Sequence, residues 1–302
     1  MTQDPTVHFL LEPELREAAQ AGDHPFIAKM ALVLESASFR VAYRGHNDTD
    51  RSAETYVLSH MKAPPTNRGL VFRRVYEYPF WQIESSAERW EWDVAKSTFD
   101  PAQISAQDAA QFYAFWQKRQ YQDAPMQTSR AGFIYVPLQG RLRDRRSFQS
   151  CSPLEMIEHC LAHDLSRQVI ATIHPNEIYS DAEIAALEAL ERKHKRLRVD
   201  VGDMVPLLQG CDYVVTQNSS VAFAGYFFGK PALLFGKIDF HHIAVQADMG
   251  NLAQSFAQVS KAKPEYAKYL YWFWQDQSIN AGRDDVYGKI TARFRRFGWP
   301  ID

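Results

Sequence analysis

From Phe133 onward, short apolar runs alternate with helical patterns, and this alternation limits the possible folds more than any other feature of the chain. Runs rich in β-branched and aromatic side chains predict strands at Phe133 to Leu138, Gln168 to Ile173, Leu197 to Val201, Tyr213 to Thr216 and Ala232 to Phe235. The spacing of apolar residues between these runs predicts helices at Pro153 to His163, Asp181 to Lys195, Asp203 to Gln209 and Ser220 to Phe228. Because strands and helices alternate strictly, we expect an α/β fold with a parallel, doubly wound sheet.

The N-terminal part follows the same pattern less regularly. Its apolar runs predict strands at Val7 to Leu11, Arg40 to Tyr43 and Leu70 to Tyr76, and helices at Pro25 to Ala37 and Ala106 to Tyr121. The polar stretch Gln122 to Arg130 predicts a linker, and the tail predicts helices at Pro264 to Gln277 and Asp284 to Phe297. A chain of 302 residues suits two domains. We therefore expect one lobe over residues 1–125, a second over 130–260 and C-terminal helices over 261–302.

Composition excludes several classes of protein. A net charge of −2 with 23% charged residues lacks the basic excess of nucleic-acid-binding proteins. The cysteines Cys151, Cys160 and Cys211 show no CxxC spacing, so we expect neither a disulfide framework nor a zinc site, and we expect a reducing, cytoplasmic setting. The first residues do not have the pattern of a signal peptide, and no run of about 18 apolar residues occurs. Any contact with a membrane is therefore expected to be peripheral.

The segment Thr216 to Gly236 reads as strand end, tight turn, buried helix and second strand. Asn218 or Ser219 suits the N-cap position, and the helix that follows is apolar on all sides, so it must be buried. Its N-terminus, with Ser219 and Ser220, would lie at the carboxyl edge of the sheet. Free backbone N–H groups, the helix dipole and two hydroxyls there favour an anion such as a phosphate. The alternative is that Ser219 only caps the helix.

Polar residues follow two other strands of this lobe. His174, Pro175 and Glu177 follow the second strand, where the histidine would donate to a phosphate or a carboxylate and the glutamate would cap a helix, orient His174 or bind ribose hydroxyls. The alternative for His174 is a turn histidine that caps local backbone. Gln139 follows the first strand and precedes four arginines, at Arg141, Arg143, Arg145 and Arg146. Four guanidinium groups at one sheet edge favour a diphosphate, a sugar carboxylate or an anionic polymer, unless they form only a solvated charge run.

Candidates for acid–base chemistry lie in the N-terminal part. Pro25 suits the first position of a helix, which places Asp23 or His24 at its cap. Either side chain is a candidate general base, and helix capping alone is the alternative. Glu84 and Asp93 remain further carboxylate candidates. Near the other end of the chain, His241 and His242 follow Asp239, but adjacent histidines are expected to point apart, so we predict no metal site there.

Together, HPNE (His174 to Glu177) and CDYVVTQNSSVAFAGYFFGKPALLFG (Cys211 to Gly236) resemble the C-terminal lobe of the capsule polysaccharide biosynthesis family of bacterial glycosyltransferase-like proteins. VPLQ, Val136 to Gln139, is similar to the opening strand of that lobe. The resemblance covers about a third of the chain, roughly Val136 to Phe240. It implies a GT-B architecture, in which two Rossmann-like lobes with parallel sheets enclose an active-site cleft and the C-terminal helices pack back.

Family members transfer 3-deoxy-manno-octulosonic acid (Kdo) from a CMP-activated donor, and related bacterial sialyltransferases hold the CMP phosphate with an HP motif and a Ser-Ser/Thr motif. The resemblance therefore implies that His174, Ser219 and Ser220 bind donor phosphate and that Glu177 lies near the ribose or base. Further candidates for the nucleotide site lie beside these residues in the sequence: Pro175, Gln217, Asn218, Gln139, Arg141 and Arg146. The family commonly has an acidic residue and a serine where this chain has its arginines, so the donor stays undecided.

These features predict a metal-independent glycosyltransferase of the hexosyl or Kdo/sialyl type, without a bound cofactor, acting in capsular or surface polysaccharide synthesis. Its expected partners are a nucleotide sugar, most simply a CMP-linked acidic sugar, and a glycan acceptor. Peripheral contact with capsule assembly proteins at the inner membrane is compatible with this prediction. Two alternatives are a non-catalytic GT-B-like protein that binds polysaccharide or a partner in capsule assembly or export, and a sugar-nucleotide epimerase or hydrolase.

Overall fold

The computed structural model describes residues 4–48 and 52–301 of the chain. Strands in this part of the chain lie at Thr6–Leu11 (β1), Arg40–Gly45 (β2), Tyr56–His60 (β3), Arg68–Arg74 (β4), Phe80–Glu84 (β5), Phe133–Pro137 (β6), Gln168–Ile173 (β7), Leu197–Val201 (β8), Tyr213–Thr216 (β9), Ala232–Leu234 (β10), Val245–Gln246 (β11) and Ile279–Asn280 (β12). The α-helices lie at Pro13–Ala21 (α1), Pro25–Ser36 (α2), Asp93–Lys96 (α3), Ala106–Tyr121 (α4), Pro153–His163 (α5), Asp181–Lys193 (α6), Met204–Gly210 (α7), Ser220–Phe227 (α8), Leu252–Lys261 (α9), Tyr266–Tyr271 (α10) and Val286–Arg296 (α11).

The chain divides into two compact units. The first combines residues up to Ser97 with residues from Trp272 onward, and the second spans Thr98–Tyr271. This division differs from the boundary expected at residues 125–130, because the stretch expected to be a linker is packed into the second unit. There the Ser129 N–H donates to the Gln209 carbonyl at 2.8 Å, and the Gln209 side-chain amide donates to the Ala124 carbonyl at 3.0 Å.

The first unit contains a mixed sheet with the strand order β12-β5-β4-β3-β1-β2. The strands β4, β3, β1 and β2 are parallel, whereas β5 runs antiparallel to β4 and β12 runs antiparallel to β5. The C-terminal segment thus adds both an edge strand and α11 to this unit. Val286, Ile290 and Phe294 recur at helical spacing on α11 and are buried in the same core as α2.

The second unit contains a fully parallel sheet with the order β11-β10-β9-β6-β7-β8. From β6 the chain winds outward through β7 and β8, then returns to the other side of β6 and winds through β9, β10 and β11. This is the strand order of the doubly wound dinucleotide-binding fold, and it confirms the predicted fold class. The direction of winding changes between β6 and β9, so this unit has its topological switch point at their carboxyl ends.

Helix α8 lies against this sheet as its composition predicts. Six of its eight residues, Ala222 to Phe227, are buried. A Cβ atom built on Gly225 would lie 3.4 Å from a methyl carbon of Leu208 and 3.5 Å from one of Val214 on β9, so the helix backbone approaches its neighbours closely at this point. Within residues 4–48 and 52–301, no helix is long and apolar enough to cross a bilayer.

Lys230, three residues after the end of α8, is a buried cation that joins three segments of the second unit. Its side chain is 3% exposed, and burial lowers the pKa of its ammonium group. The ammonium donates to the carbonyls of Ser129, Gln209 and Cys211 at 2.6, 3.1 and 2.7 Å. Three hydrogen bonds use the full donor capacity of a lysine, which compensates for its removal from water.

We expect Lys230→Met to lower the free energy of unfolding by about 2–4 kcal/mol, because it leaves three carbonyls without their donor. Urea denaturation followed by circular dichroism measures the change. Lys193→Met, on the exposed face of α6, is the matched control and should stay within about 0.5 kcal/mol of the wild type. Equal losses in the two variants would show that the buried ammonium does not stabilise this junction.

Candidate functional site

The loops that follow β6, β9 and β10 are joined at the carboxyl edge of the second sheet. The Thr216 hydroxyl, at the end of β9, donates to the Pro137 carbonyl on β6 at 3.3 Å, and the Gln217 side-chain amide donates to the Cys151 carbonyl at 2.9 Å. Gln149 forms an isolated antiparallel bridge with Gly236 after β10. The switch point is therefore lined by a cross-linked surface of three loops.

This surface contains several buried polar atoms that have no hydrogen-bond partner. In the described part of the chain, five of the eleven such side-chain atoms belong to the loops after β6 and β9: Gln139 Oε1, Arg146 Nε, Arg146 Nη2, Gln149 Nε2 and Gln217 Oε1. Buried polar atoms in folded proteins are almost always satisfied. Three donors and two acceptors left unpaired in adjoining loops therefore indicate a place for polar ligand atoms.

Arg146 differs from the three other arginines of its loop. Arg141 and Arg143 are exposed, and Arg141 is paired with Asp144 at 3.1 Å. Arg145 is exposed and donates to the Gln149 carbonyl at 3.0 Å. The Arg146 guanidinium is partly buried over the Phe148 ring, 4.9 Å from its centroid.

The charge of Arg146 is incompletely compensated. Its burial and the nearby Arg141 lower its pKa, whereas Glu177 and Asp144 raise it. Two of its N–H-bearing nitrogens, Nε and Nη2, have no protein acceptor. An anion with two oxygens matches this pair of donors, because a guanidinium edge presents Nε and one Nη in parallel.

His174 lies in a tight turn that follows β7. The Glu177 N–H donates to the His174 carbonyl at 3.2 Å, and the His174 N–H donates to the Tyr179 hydroxyl at 2.9 Å. The Asn176 backbone N–H donates to Nδ1 of the imidazole at 3.2 Å, which places the proton of the neutral ring on Nε2. His174 is exposed, so it presents an N–H donor at the carboxyl edge of the sheet.

Glu177 brings the loop after β7 against the loop after β6. A Cβ atom on Gly140 would lie 2.6 Å from Glu177 Oε2, so the carboxylate lies close against this glycine. The same carboxylate raises the pKa of Arg146. The structure thus places Gln139, Arg146 and Glu177 in one region, and Pro175 forms the exposed corner of the turn.

The two serines of α8 have different surroundings. Ser219 is the N-cap: its Oγ accepts the Val221 N–H at 3.3 Å, and its own N–H donates to the Thr216 hydroxyl at 3.3 Å. Ser219 is 7% exposed, whereas Ser220 is exposed in the first turn. Asn218, beside them, donates to the Lys237 carbonyl at 3.5 Å. Capping therefore accounts for the Ser219 side chain, and Ser220 is the more accessible hydroxyl.

In the first unit, His24 is the N-cap of α2. Its Nδ1 accepts the Ile27 N–H at 3.2 Å, and its ring meets that of Trp81 edge to face at 5.4 Å. Asp23 is exposed, and its backbone N–H donates to the Ala18 carbonyl at 2.8 Å. The role of either residue as a base stays a prediction.

Sequence reasoning missed a cluster of three side chains at the carboxyl edge of the first sheet. Glu12 directly follows β1, His46 directly follows β2, and His60 is the last residue of β3. The Glu12 carboxylate contacts His60 Nδ1 at 2.8 Å and His46 Nε2 at 3.3 Å. Position directly after a strand was the sequence signal that could have identified Glu12 and His46. It could not identify His60, because the strand β3 was not predicted from sequence.

Two other candidate groups have structural partners. Arg293 of α11 bridges the carboxylates of Glu84 and Asp93 at 2.7 and 2.8 Å. Burial raises the pKa of Glu84 to about 7 despite the opposing effect of Arg293.

His241 and His242 do not point apart as expected. They form a single 3₁₀ turn, in which the two ring centroids lie 4.3 Å apart and the ring planes are nearly parallel. Among residues 4–48 and 52–301, no set of three histidine, cysteine or acidic side chains is arranged to hold a metal ion.

No protein-family model matches the chain, and no curated protein matches it in sequence. A solved structure of KpsC from Thermosulfurimonas dismutans, a β-Kdo 2,7 transferase, is similar to it with a TM-score of 0.52, 10% identity and 88% coverage of both chains. The chain has a GT-B fold.

Two further solved structures resemble this GT-B fold less closely. The β-Kdo 2,4 transferase of T. dismutans KpsC has a TM-score of 0.49 at 12% identity, with 89% of each chain covered. S. aureus MnaA in complex with UDP has a TM-score of 0.36 at 11% identity, with 97% of this chain and 96% of that chain covered.

Gly236 allows the loops after β9 and β10 to approach each other in the GT-B fold. A Cβ atom there would lie 2.9 Å from the Gln217 carbonyl oxygen and 3.2 Å from the Phe148 ring.

We expect Gly236→Ala to lower the free energy of unfolding by about 1–3 kcal/mol, because the backbone must move. Gly288→Ala, at an exposed position in the first turn of α11 with open space around the added carbon, should instead stabilise by about 0.5 kcal/mol. Thermal unfolding of both variants measures these opposite signs, and a neutral Gly236→Ala would contradict the close approach.

Proposed function

We propose that this protein is a glycosyltransferase of bacterial surface polysaccharide synthesis that uses a nucleotide-activated sugar. The observation that carries the proposal is the Arg146 guanidinium, whose Nε and Nη2 are buried without an acceptor at the switch point of the second sheet. In doubly wound sheets, ligands bind outside the carboxyl ends of the strands at this point. A donor phosphate there supplies the missing acceptor oxygens.

The surrounding groups suit a nucleotide phosphate. His174 offers its Nε2–H, and the N-terminus of α8 offers the exposed Ser220 hydroxyl and the positive end of the helix dipole. Gln139 and Gln217 offer amide oxygens that match the donors of a nucleobase, a ribose or a sugar hydroxyl. We assign Glu177 to accept hydrogen bonds from ribose hydroxyls. These roles are part of the proposal, as are those of Asn218, Ser219 and Arg141.

The preference for a CMP-linked acidic sugar rests on the HP and Ser-Ser motifs and on the fold similarity to T. dismutans KpsC, a β-Kdo transferase. The arginines of the loop after β6 favour a donor that carries a carboxylate in addition to its phosphate. The acceptor is then a glycan. We place the reaction in the cytoplasm, with any membrane association through peripheral contact with capsule assembly proteins.

Transfer forms a bond between an acceptor oxygen and the anomeric carbon while the bond from that carbon to the phosphate oxygen breaks. The phosphate leaves with the electron pair, and its growing charge is stabilised by His174, Arg146 and the N-terminus of α8. The acceptor hydroxyl loses its proton to a base, for which Asp23 and His24 are the candidates from sequence. Positive side chains and backbone dipoles perform the role that a metal ion has in other transferases.

Nucleotide binding tests the site. In calorimetry with CMP, UDP and GDP, we expect CMP to bind and Arg146→Lys to weaken its binding at least about tenfold, because lysine cannot present two parallel N–H donors. Arg192→Lys, on the exposed face of α6, is the matched control and should bind as the wild type does. Absence of binding to all three nucleotides would overturn the proposal and favour the non-catalytic alternative.

Turnover tests the role of His174. With CMP-Kdo as the donor probe, we expect His174→Ala to lower the rate of CMP release by about 10²–10³-fold, because one donor to the leaving phosphate is lost. The variant should unfold at the wild-type temperature, since His174 is exposed. His163→Ala, an exposed histidine in the last turn of α5, serves as the control. Wild-type rates in His174→Ala would exclude His174 from the reaction. If the wild type releases CMP without transferring the sugar to any glycan, that result would favour the hydrolase alternative.

A further inference from the structure

Two grooves flank the loop between β6 and α5, and arginines of this loop line both of them. The groove beside the start of α6 contains Arg141 and Arg143 together with Asp144 and Glu183. The other groove lies between this loop and the carboxyl ends of β10 and β11, and its volume is about 370 Å³. We call it the Lys237 groove, and its polar lining consists of Arg145, Ser147, Gln149, Ser150, Lys237 and Gln246. Both grooves lie wholly within the second unit.

Charge distinguishes the two grooves. In the groove beside α6, Arg141 is paired with Asp144 at 3.1 Å, and Glu183 supplies a second carboxylate. The Lys237 groove has two cations, Arg145 and Lys237, and no carboxylate among its lining residues. Both cations are exposed, and within residues 4–48 and 52–301 neither of them forms an ion pair. Two positive charges without a protein anion beside them attract a negative ligand.

Glu155 of α5 is a carboxylate that the charge of Arg145 does reach, but it is already bound elsewhere. Its Oε2 accepts the Ser152 N–H at 2.7 Å as part of the capping box of α5. The hydrogen bonds with Ser152 lower the pKa of Glu155 most, and Arg145 adds a smaller effect. Glu155 does not line the Lys237 groove, so the cations there stay available to a ligand.

Gln149 connects the Lys237 groove with Arg146. It lines the groove and is 3% exposed. Its Oε1 accepts the Arg146 backbone N–H at 2.7 Å, whereas its Nε2 is buried without an acceptor. An amide nitrogen can only donate, so the group that completes Gln149 is an acceptor oxygen. The unpaired amide and the two cations therefore favour the same kind of ligand atom.

Backbone hydrogen bonds hold the walls of the groove together. The Lys237 N–H donates to the Phe148 carbonyl at 2.9 Å, and the Ser150 N–H donates to the Phe235 carbonyl at 2.7 Å. These two bonds form the isolated antiparallel bridge described above. A groove that is fixed by backbone contacts needs little ordering when a ligand binds.

We propose that the Lys237 groove binds a second anionic group of the sugar donor, beside the phosphate that Arg146 holds. This subsite deepens the proposed function and rests on it. Arg145 and Arg146 are consecutive residues with different surroundings: Arg146 lies over the Phe148 ring with two unpaired nitrogens, and Arg145 lines the groove with Lys237. The loop thus presents two cationic positions at one edge of the sheet. A donor with one anionic group uses one of them, and a donor with two uses both.

Two kinds of donor have the required chemistry. A sugar acid linked to a nucleoside monophosphate has a carboxylate close to its phosphate, and a nucleoside diphosphate sugar has a second phosphate. In either case an anionic oxygen accepts hydrogen bonds from Arg145, Lys237 and the Gln149 amide. Phe148 and Met249 also line the groove, so carbon atoms next to the anion find apolar contacts there.

Calorimetry with CMP, CDP and CMP-Kdo tests the subsite. CMP offers one anionic group, whereas CDP offers a second phosphate and CMP-Kdo offers a carboxylate. We expect Lys237→Gln and Arg145→Gln each to weaken the binding of CDP, of CMP-Kdo or of both about tenfold, because a charged donor to the second anion is lost. The affinity for CMP should change less than about twofold, because exposed charges that do not contact the ligand are screened. Both residues are exposed, so both variants should fold as the wild type does.

Lys261→Gln in the last turn of α9 and Arg192→Gln on α6 are matched controls, because each removes one exposed positive charge from the second unit. A selective loss for CMP-Kdo assigns the groove to a sugar carboxylate, a selective loss for CDP assigns it to a second phosphate, and a loss for both shows that it takes either anion. If the variants change the affinity for all three ligands equally, or for none, the subsite is overturned while the Arg146 site stands. A wild type that binds none of the three ligands would overturn the proposed function and the subsite with it.

Discussion

The parallel pairing of β6 with β9 is the constraint on which the second unit depends. It places the first strand of the sheet beside the fourth, so that the loops after both strands begin at the same edge. The Thr216 hydroxyl links the two strands: it donates to the β6 backbone and accepts the N–H of Ser219, the cap of α8. One buried hydroxyl thus connects strand pairing to the position of the helix N-terminus. The cross-linked loops keep Arg146 half-buried with two unpaired nitrogens.

Sequence reasoning predicted the second unit well for a physical reason. The inner strands β6, β7 and β9 are largely buried and read as nearly continuous apolar runs, whereas the edge strand β8 alternates apolar with polar residues. The bounds of β7, β8 and β9 are those predicted, and β6 ends one residue earlier than predicted, at Pro137. The first unit was harder, because β3 and β5 are short and contain polar residues such as Ser59, Gln82 and Glu84 that are buried only in the folded sheet. Contacts between distant segments, rather than local pattern, hold residues 122–130 in the second unit.

For the candidate sites too, local sequence pattern selects residues but does not reveal their contacts with distant segments. The rule that ligands bind after the strands was sufficient to select His174, Ser219 and Arg146 from sequence. It could not separate Arg146 from Arg141, since that distinction arises from the packing of Phe148 and Gln149. Nor could it pair Glu12 with His60, which lie 48 residues apart and meet only through the order β3-β1-β2.

The chemistry of a histidine in this chain is decided by what its Nδ1 contacts. At His24 and His174 the contact is a backbone N–H, which can only donate, so each neutral ring keeps its proton on Nε2 and serves as a donor. At His60 the contact is a carboxylate, which can only accept, so in the neutral ring Nε2 keeps the lone pair. His24 caps α2, His174 directly follows β7 and His60 ends β3, and the sequence around each histidine does not reveal its Nδ1 partner. The two arrangements differ in what the other ring nitrogen can do: in the neutral ring it is an N–H donor at His24 and His174 and an acceptor at His60.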